Sequence, residues 1–269
     1  MTENTVAPEQ PAAEPEAAPF EPPFPVPTTP LEPLPEDWER ALVIAAHPDD
    51  IEYGAAAAIA RWTGQGKQIV YCMVTSGEAG IDSMPPEQTG PLREKEERDA
   101  AAIVGVDVVE FLGYPDGVVE YGLPLRRDIA RSIRRHRPDI VITGNFHETF
   151  GPGMLNQADH IATGKAVLDG ARDAGNRWVF TELLDEGLEP WNKVRAIWAA
   201  GSLEAGHGVD ITDTFDLGVQ SLEAHAGYLG ALPGHPEPRD FLGMFARMTG
   251  PRLGVEYGSI FEVYPLMLY

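Results

Sequence analysis

A single cysteine, Cys72, occurs in 269 residues. No disulfide can form within the chain, and Cys72 lies inside the apolar run 69–74, where it reads as a core thiol in a reducing, cytoplasmic setting. Positive charge is also scarce: 20 Lys and Arg against 42 Asp and Glu leave a formal net charge of −22. That balance argues against nucleic acid and against anionic membrane surfaces as partners. No apolar run reaches the roughly 18 residues that a membrane span needs. The first residues also lack the basic and apolar segments of a secretory signal. Neither G-x-G-x-x-G after the first apolar strand nor G-x-x-x-x-G-K-[ST] is present, so dinucleotide and P-loop readings lose their main support.

What remains is a globular composition, 43% hydrophobic, on a chain long enough for one α/β domain with a full core. Residues 1–37 are mostly Pro, Glu and Ala. Such a segment buries too little apolar area to offset its ordering entropy, so a disordered arm is expected, with Phe20 and Phe24 as docking points on a neighbouring surface. Residues 38–269 then form a single domain. Strands are expected at 42–46, 68–75, 106–112 and 139–143, with helices at 55–62, 91–104 and 123–136 between them. This alternation predicts a mostly parallel sheet with right-handed crossovers. In the 123–136 helix, Ile129 and Ile133 face inward and the arginines, Arg134 among them, form a solvated face. Further on, a helix is expected at 158–174, short strands at 178–181, 196–199 and 209–212, and a helix at 213–227. The Gly-, Pro- and aromatic-rich stretch 234–269 reads as a lid, a wrap over the site or an oligomer contact.

The stretch ALVIAAHPDDIEYG, residues 41–54, organises the rest. Its apolar strand ends in His47-Pro48-Asp49-Asp50 at the carboxyl edge of the sheet, where open α/β folds place ligands. A capped helix start accounts for one aspartate, but not for a histidine and a second aspartate. A catalytic zinc site takes about three protein ligands and leaves one position open. His47 and Asp50, three apart across a stiff turn, can point at one ion. A third ligand must come from elsewhere on the same edge. His160, held in the first turn of the 158–174 helix, is the better candidate. His147, in the loop 144–157, is placed on the pocket wall, and His225, late in a helix, reads as a core or surface residue, or as one that reaches the site from the C-terminal half. Asp49 is then the carboxylate that does not coordinate and acts as general base toward water.

These residues resemble the PIG-L/LmbE-like zinc-dependent N-deacetylases. The resemblance rests on His47-Pro48-Asp49-Asp50 after an apolar strand and Asp159-His160 opening a later helix. Arg93 to Glu97 and the run from Leu112 to Gly117 support it. It implies that His47, Asp50 and His160 bind zinc or another divalent ion, that Asp49 is the base, and that Arg93 and Asp116 contact the polar part of the substrate. It further implies an α/β fold, a Rossmann-like three-layer sandwich with a mostly parallel sheet, hydrolysis of the N-acetyl group of an N-acetylglucosamine-like small molecule, and a homo-oligomer.

One departure stands out. Many members carry His-Pro-Asp-His where this chain has Gln157-Ala158-Asp159-His160. The Gln157 amide can donate a hydrogen bond to an oxyanion but is no acid near neutral pH. Protonation of the leaving amine then falls to Asp49, His147 or His225. Glu52, near the second aspartate, reads as a partner of a zinc ligand or as an acid facing the helix dipole. The alternative readings are a related zinc amidase acting on a different amide, such as a thiol conjugate, and a non-catalytic metal-binding protein of this fold. The intact set His47, Asp49, Asp50 and His160 argues against the last.

Overall fold

A computed structural model describes residues 27–266. In chain order its elements are β1 (Glu32–Pro33), β2 (Arg40–Ala45), α1 (Asp50–Gly54), α2 (Ala56–Gly64), β3 (Gln68–Met73), α3 (Pro86–Ile103), β4 (Val108–Phe111), α4 (Leu123–His136), β5 (Ile140–Gly144), β6 (Thr149–Gly151) and β7 (Met154–Leu155). They continue with α5 (Ala158–Ala174), α6 (Glu182–Asp185), β8 (Ala196–Ala200), β9 (His207–Asp210), α7 (Phe215–Glu223), α8 (Ala226–Ala231), α9 (Pro238–Leu253) and β10 (Gly258–Pro265). Eight strands form one sheet in the order β1-β9-β10-β8-β5-β2-β3-β4, and β6 and β7 form a separate hairpin.

Period-two alternation along β2 shows why the molecule has three layers. Ala41, Val43 and Ala45 join a core with Trp38, Ile59, Trp62, Trp198 and Val219 on one face. Leu42 and Ile44 join a second core with Ile129, Ile133, Ala166 and Val167 on the other. A strand apolar on both sides must be covered on both sides, by α2 and α7 on one face and by α4 and α5 on the other. Strand β2 lies between β3 and β5, parallel to both. The loops after all three, and after β4, therefore emerge at one edge.

The mostly parallel sandwich expected from the sequence is the fold observed, and Cys72 is fully buried within it as a free thiol. Burial pushes that thiol's pKa up to about 12, which leaves it inert.

Several expectations change. The arm called disordered to residue 37 is structured at its end: Leu31 and Leu34 are buried, and β1 pairs with β9. Phe20 and Phe24 lie outside the described residues. Helix α3 starts at Pro86, ahead of the expected Pro91, which it takes into its second turn. The Thr89 hydroxyl helps to close the first turn by donating to the Met84 carbonyl at 3.1 Å. No strand forms at 178–181, where Trp178 is 81% exposed. The helix expected over 213–227 breaks at His225 into α7 and α8. The C-terminal stretch supplies α9 and also β10, which inserts antiparallel between β8 and β9. Arg134 is not on a solvated face. It is 1% exposed, and its guanidinium donates to the carbonyls of Ala174, Asn176 and Val179 at 3.1, 2.8 and 3.0 Å. A long stem lets an arginine cross from the helix to carbonyls left open at the end of its neighbour, which helical periodicity does not reveal.

Trp62 anchors the first core. It is fully buried, and its ring centroid lies 5.4 Å from that of Trp38 and 5.6 Å from that of Trp198. Replacing it with alanine leaves a cavity and should cost about 3–5 kcal/mol, measurable by urea denaturation. Leu155→Ala, at a side chain 83% exposed, should change stability by less than about 0.5 kcal/mol.

Candidate active site

Strand β2 delivers His47 at its end, and the chain turns at once. Asp49 adopts φ 88°, ψ −23°, a left-handed conformation that is uncommon for a residue with a Cβ. Such a conformation costs of order 1–3 kcal/mol and persists only where the surroundings hold it. Helix α3 supplies the clamps. The Arg93 guanidinium donates to the Pro48 carbonyl and lies 3.0 Å from Asp49 Oδ1. One turn on, Glu97 Oε2 accepts the Asp49 N–H at 3.0 Å. The glycines of the loop after β3 make room for Arg93, since a Cβ at Gly77 or Gly80 would collide with the guanidinium.

His160 arrives from the first turn of α5 and faces His47. Hydrogen-bond accounting assigns both rings. The Asn156 amide donates to the carbonyls of Asn145 and His147 at 2.8 and 2.9 Å, which turns its oxygen toward His160 Nδ1, 2.8 Å away. An oxygen there requires a proton on Nδ1, leaving the Nε2 lone pair free. His47 Nε2 lies 3.0 Å from Asp116 Oδ1 and 3.2 Å from Asp159 Oδ2, so it carries its proton and leaves Nδ1 free. The two free nitrogens stand 3.2 Å apart, and Asp50 Oδ1 lies 3.0 Å from His160 Nε2. Facing lone pairs at this distance need a positive charge between them, a proton or a metal ion. Two imidazoles and one carboxylate converging on a cavity, with outer hydrogen bonds setting the tautomers, suit a divalent transition metal.

The electrostatics agree. Burial opposes charge on the His47 ring, but Asp116, Asp159 and Asp50 outweigh it and its pKa is pushed up to about 12. The same carboxylates attract a cation. Burial alone would raise Asp50, yet His160 and His47 hold it well below the usual carboxylate range. Burial pushes Asp49 the other way, up to about 6, against the pull of Arg93. Two adjacent aspartates are thus driven apart by their surroundings.

A cavity of about 670 Å³ opens over the donors, lined by His47, Asp49, Asp50, Arg93, Gln157 and His160 among others. Gln157 precedes α5 and has an exposed side chain on the cavity wall. Two sequence assignments are displaced. His147 is off the cavity wall, its Nε2 held by Glu262 at 2.7 Å. His225 is fully buried behind Asp49, with Glu52 and Glu97, and does not line the cavity. Asp116 lines the cavity, spends one oxygen on His47 and accepts the Ala79 N–H on the other at 2.8 Å. Glu52 lies in the first turn of α1, where an acid faces the helix dipole; it is buried and accepts a hydrogen bond from the Ser221 hydroxyl at 3.0 Å.

The sequence reading missed Asn156 and Tyr228, and it named Asp159 and Glu97 only as parts of motifs, without a role. Tyr228 lines the cavity under Arg93, whose guanidinium carbon lies 3.9 Å from the ring centroid. Burial and Asp49 push its phenol up to about 12. Glu97 had one visible signal, its place one turn after Arg93 on the helix face that continues into Ala100 and Ala101.

Residues 42–171 match the model of the PIG-L family, GlcNAc-PI de-N-acetylase. A probable N-acetyl-alpha-D-glucosaminyl L-malate deacetylase 2 of Bacillus anthracis is 34% identical over 137 residues, covering 48% of this chain and 58% of that protein. Diacetylchitobiose deacetylase of Thermococcus kodakarensis is 26% identical over 191 residues, 70% of each chain. Among solved structures, N,N'-diacetylchitobiose deacetylase from Pyrococcus horikoshii superposes with a TM-score of 0.76 at 26% identity, over 86% of this chain and 85% of that one. Motif, fold and family match agree that residues 42–171 are similar to the PIG-L family.

Proposed function

We propose that the protein is a zinc-dependent amidohydrolase that removes an N-acetyl group from an amino-sugar-containing small molecule in the cytoplasm. The observation that carries this reading is the convergence of two imidazole lone pairs and the Asp50 carboxylate on a cavity that the Asp49 carboxylate also lines. His47, Asp50 and His160 would hold the ion, and this nitrogen-rich set suits zinc. When bound, the ion supplies Lewis acidity, polarising the amide carbonyl and easing ionisation of water.

The chain's own residues perform the rest. Asp49 takes a proton from the attacking water; its carboxyl, raised to about 6, is a competent base near neutral pH. Arg93 at 3.0 Å orients that carboxylate. The Gln157 amide donates to the carbonyl oxygen as negative charge develops there. With His147 and His225 off the cavity, the proton for the departing amine comes from Asp49, which has just received one. The named relatives that deacetylate N-acetylglucosaminyl malate and diacetylchitobiose support an amino-sugar substrate. Among the described residues no helix is long and apolar enough to cross a membrane, in keeping with a small, diffusing substrate.

A second reading is favoured by the apolar part of the cavity lining, which includes Met154, Leu203, Phe241, Leu242 and Phe245. It is cleavage of an amide other than a simple N-acetyl sugar by the same residues. A panel of N-acetylated sugars against N-acylated amines, assayed for released amine, separates the two.

Chelation should abolish turnover and zinc should restore it; activity indifferent to both a strong chelator and His47→Ala would sink the reading. Asp49→Asn should lower kcat by about 10²–10⁴-fold while metal content, read by atomic emission, stays at the wild-type level. Gln157→Ala should lower kcat by about 10²-fold with little change in KM, the expected loss of one oxyanion donor. Unchanged turnover in that variant would remove Gln157 from the mechanism.

A further inference from the structure

Directly behind the Asp49 turn lies a cluster that the chemistry above does not use. Glu52, Glu97 and His225 are 2%, 0% and 0% exposed. His225 Nε2 stands 3.6 Å from Glu52 Oε2 and 3.7 Å from Glu97 Oε2, too far for hydrogen bonds. Glu97 Oε1 has no hydrogen-bond partner among the described residues, and neither ring nitrogen of His225 has one. A methionine or leucine would fill the Glu97 site without the cost of burying a carboxylate. The carboxylate therefore calls for a reason beyond packing.

Its one hydrogen bond is that reason. Glu97 Oε2 accepts the N–H of Asp49, 48 residues away in sequence, at 3.0 Å. That N–H belongs to the residue forced into φ 88°. On the other side of the Asp49 Cα, in the next peptide, the Asp49 carbonyl accepts the N–H of Glu52 at 2.9 Å. Arg93 and Glu97 sit one turn apart on the buried face of α3, where side chains four apart align. Arg93 holds the side chain of Asp49 and Glu97 its backbone.

We propose that Glu97 is a positioning residue for the general base: by accepting the Asp49 N–H it keeps that residue in its left-handed conformation and so aims its carboxylate into the cavity. The His225 ring stands behind Glu97, its Nε2 3.7 Å from Oε2. The inference rests on the reading of Asp49 as the base, and it adds a residue that never touches substrate. Rotation of the peptide would swing the carboxylate off the line of attack, and misplacement by about 1 Å can cost 10²-fold in rate.

The test compares Glu97→Met, which removes the acceptor, with Glu97→Gln, which keeps one oxygen for the N–H, in the full zinc-loaded chain. Glu97→Met should lose about 10–100-fold in kcat with KM within about twofold and zinc content unchanged. Glu97→Gln should recover most of that loss. A crystal structure of the Met variant should show residue 49 out of the left-handed region. Wild-type kcat in a folded Glu97→Met variant, φ at residue 49 still near 88°, or loss of zinc in step with loss of rate would each overturn the proposal. Should Glu97→Met fail to fold, Glu97→Asp, whose shorter arm withdraws the acceptor, takes its place with the same readouts; undiminished kcat there also overturns it. If the zinc-loaded wild type hydrolyses no N-acetyl amide, the proposed function fails instead, and the backbone angle in the variant still decides the role of Glu97.

Discussion

The facing nitrogens of His47 and His160, 3.2 Å apart, are the constraint on which the rest of the site depends. Neither ring is free to relieve the approach. His47 is locked by Asp116 and Asp159, and His160 by an Asn156 whose own amide is spent on two backbone carbonyls. Those locks come from the loop after β4, from α5 and from the loop after β5. The meeting of two side chains 113 residues apart thus requires β2 beside β5 and α5 packed across them. The sheet register is part of the chemistry.

Negative charge is the second theme. The chain as a whole carries −22, and around His47 alone it gathers Asp50, Asp116 and Asp159. Without a compensating cation such a concentration would be destabilising, which is why a positive charge on or beside the ring is so strongly favoured. Asp49 is set apart from this group by its partners. Its carboxylate faces Arg93, and its peptide is held by Glu97. Two neighbours in sequence end up in different electrical environments because the backbone reverses between them.

Much of this was legible in the residues. The HPDD turn after an apolar strand named His47, Asp49 and Asp50, and the first turn of the 158–174 helix named His160, because motif spacing and strand ends carry that information locally. The wall position of Gln157 followed in the same way. Glycine- and proline-rich residues 234–269 concealed α9 and β10, since β10 gains its strand character from insertion between β8 and β9 and not from its own pattern. His225 looked like a reachable acid and proved to be a buried companion of Glu97. Burial of that kind is set by what packs on a helix from outside, and the helix sequence does not record it.

By itself the sequence determined the parallel sheet, the edge that bears the site and the residue types of the candidate metal donors, because hydrophobic period and turn chemistry act over a few residues. Tertiary structure alone decided which nitrogen of each imidazole is free and that Asp116 serves His47. It also decided that His147 and His225 stay off the cavity and that α3 holds Asp49 in a strained conformation. Apart from the His160 tautomer, set by Asn156 four residues earlier, each of these depends on groups brought together across 48 to more than 100 residues, at distances where a hydrogen bond is either made or lost.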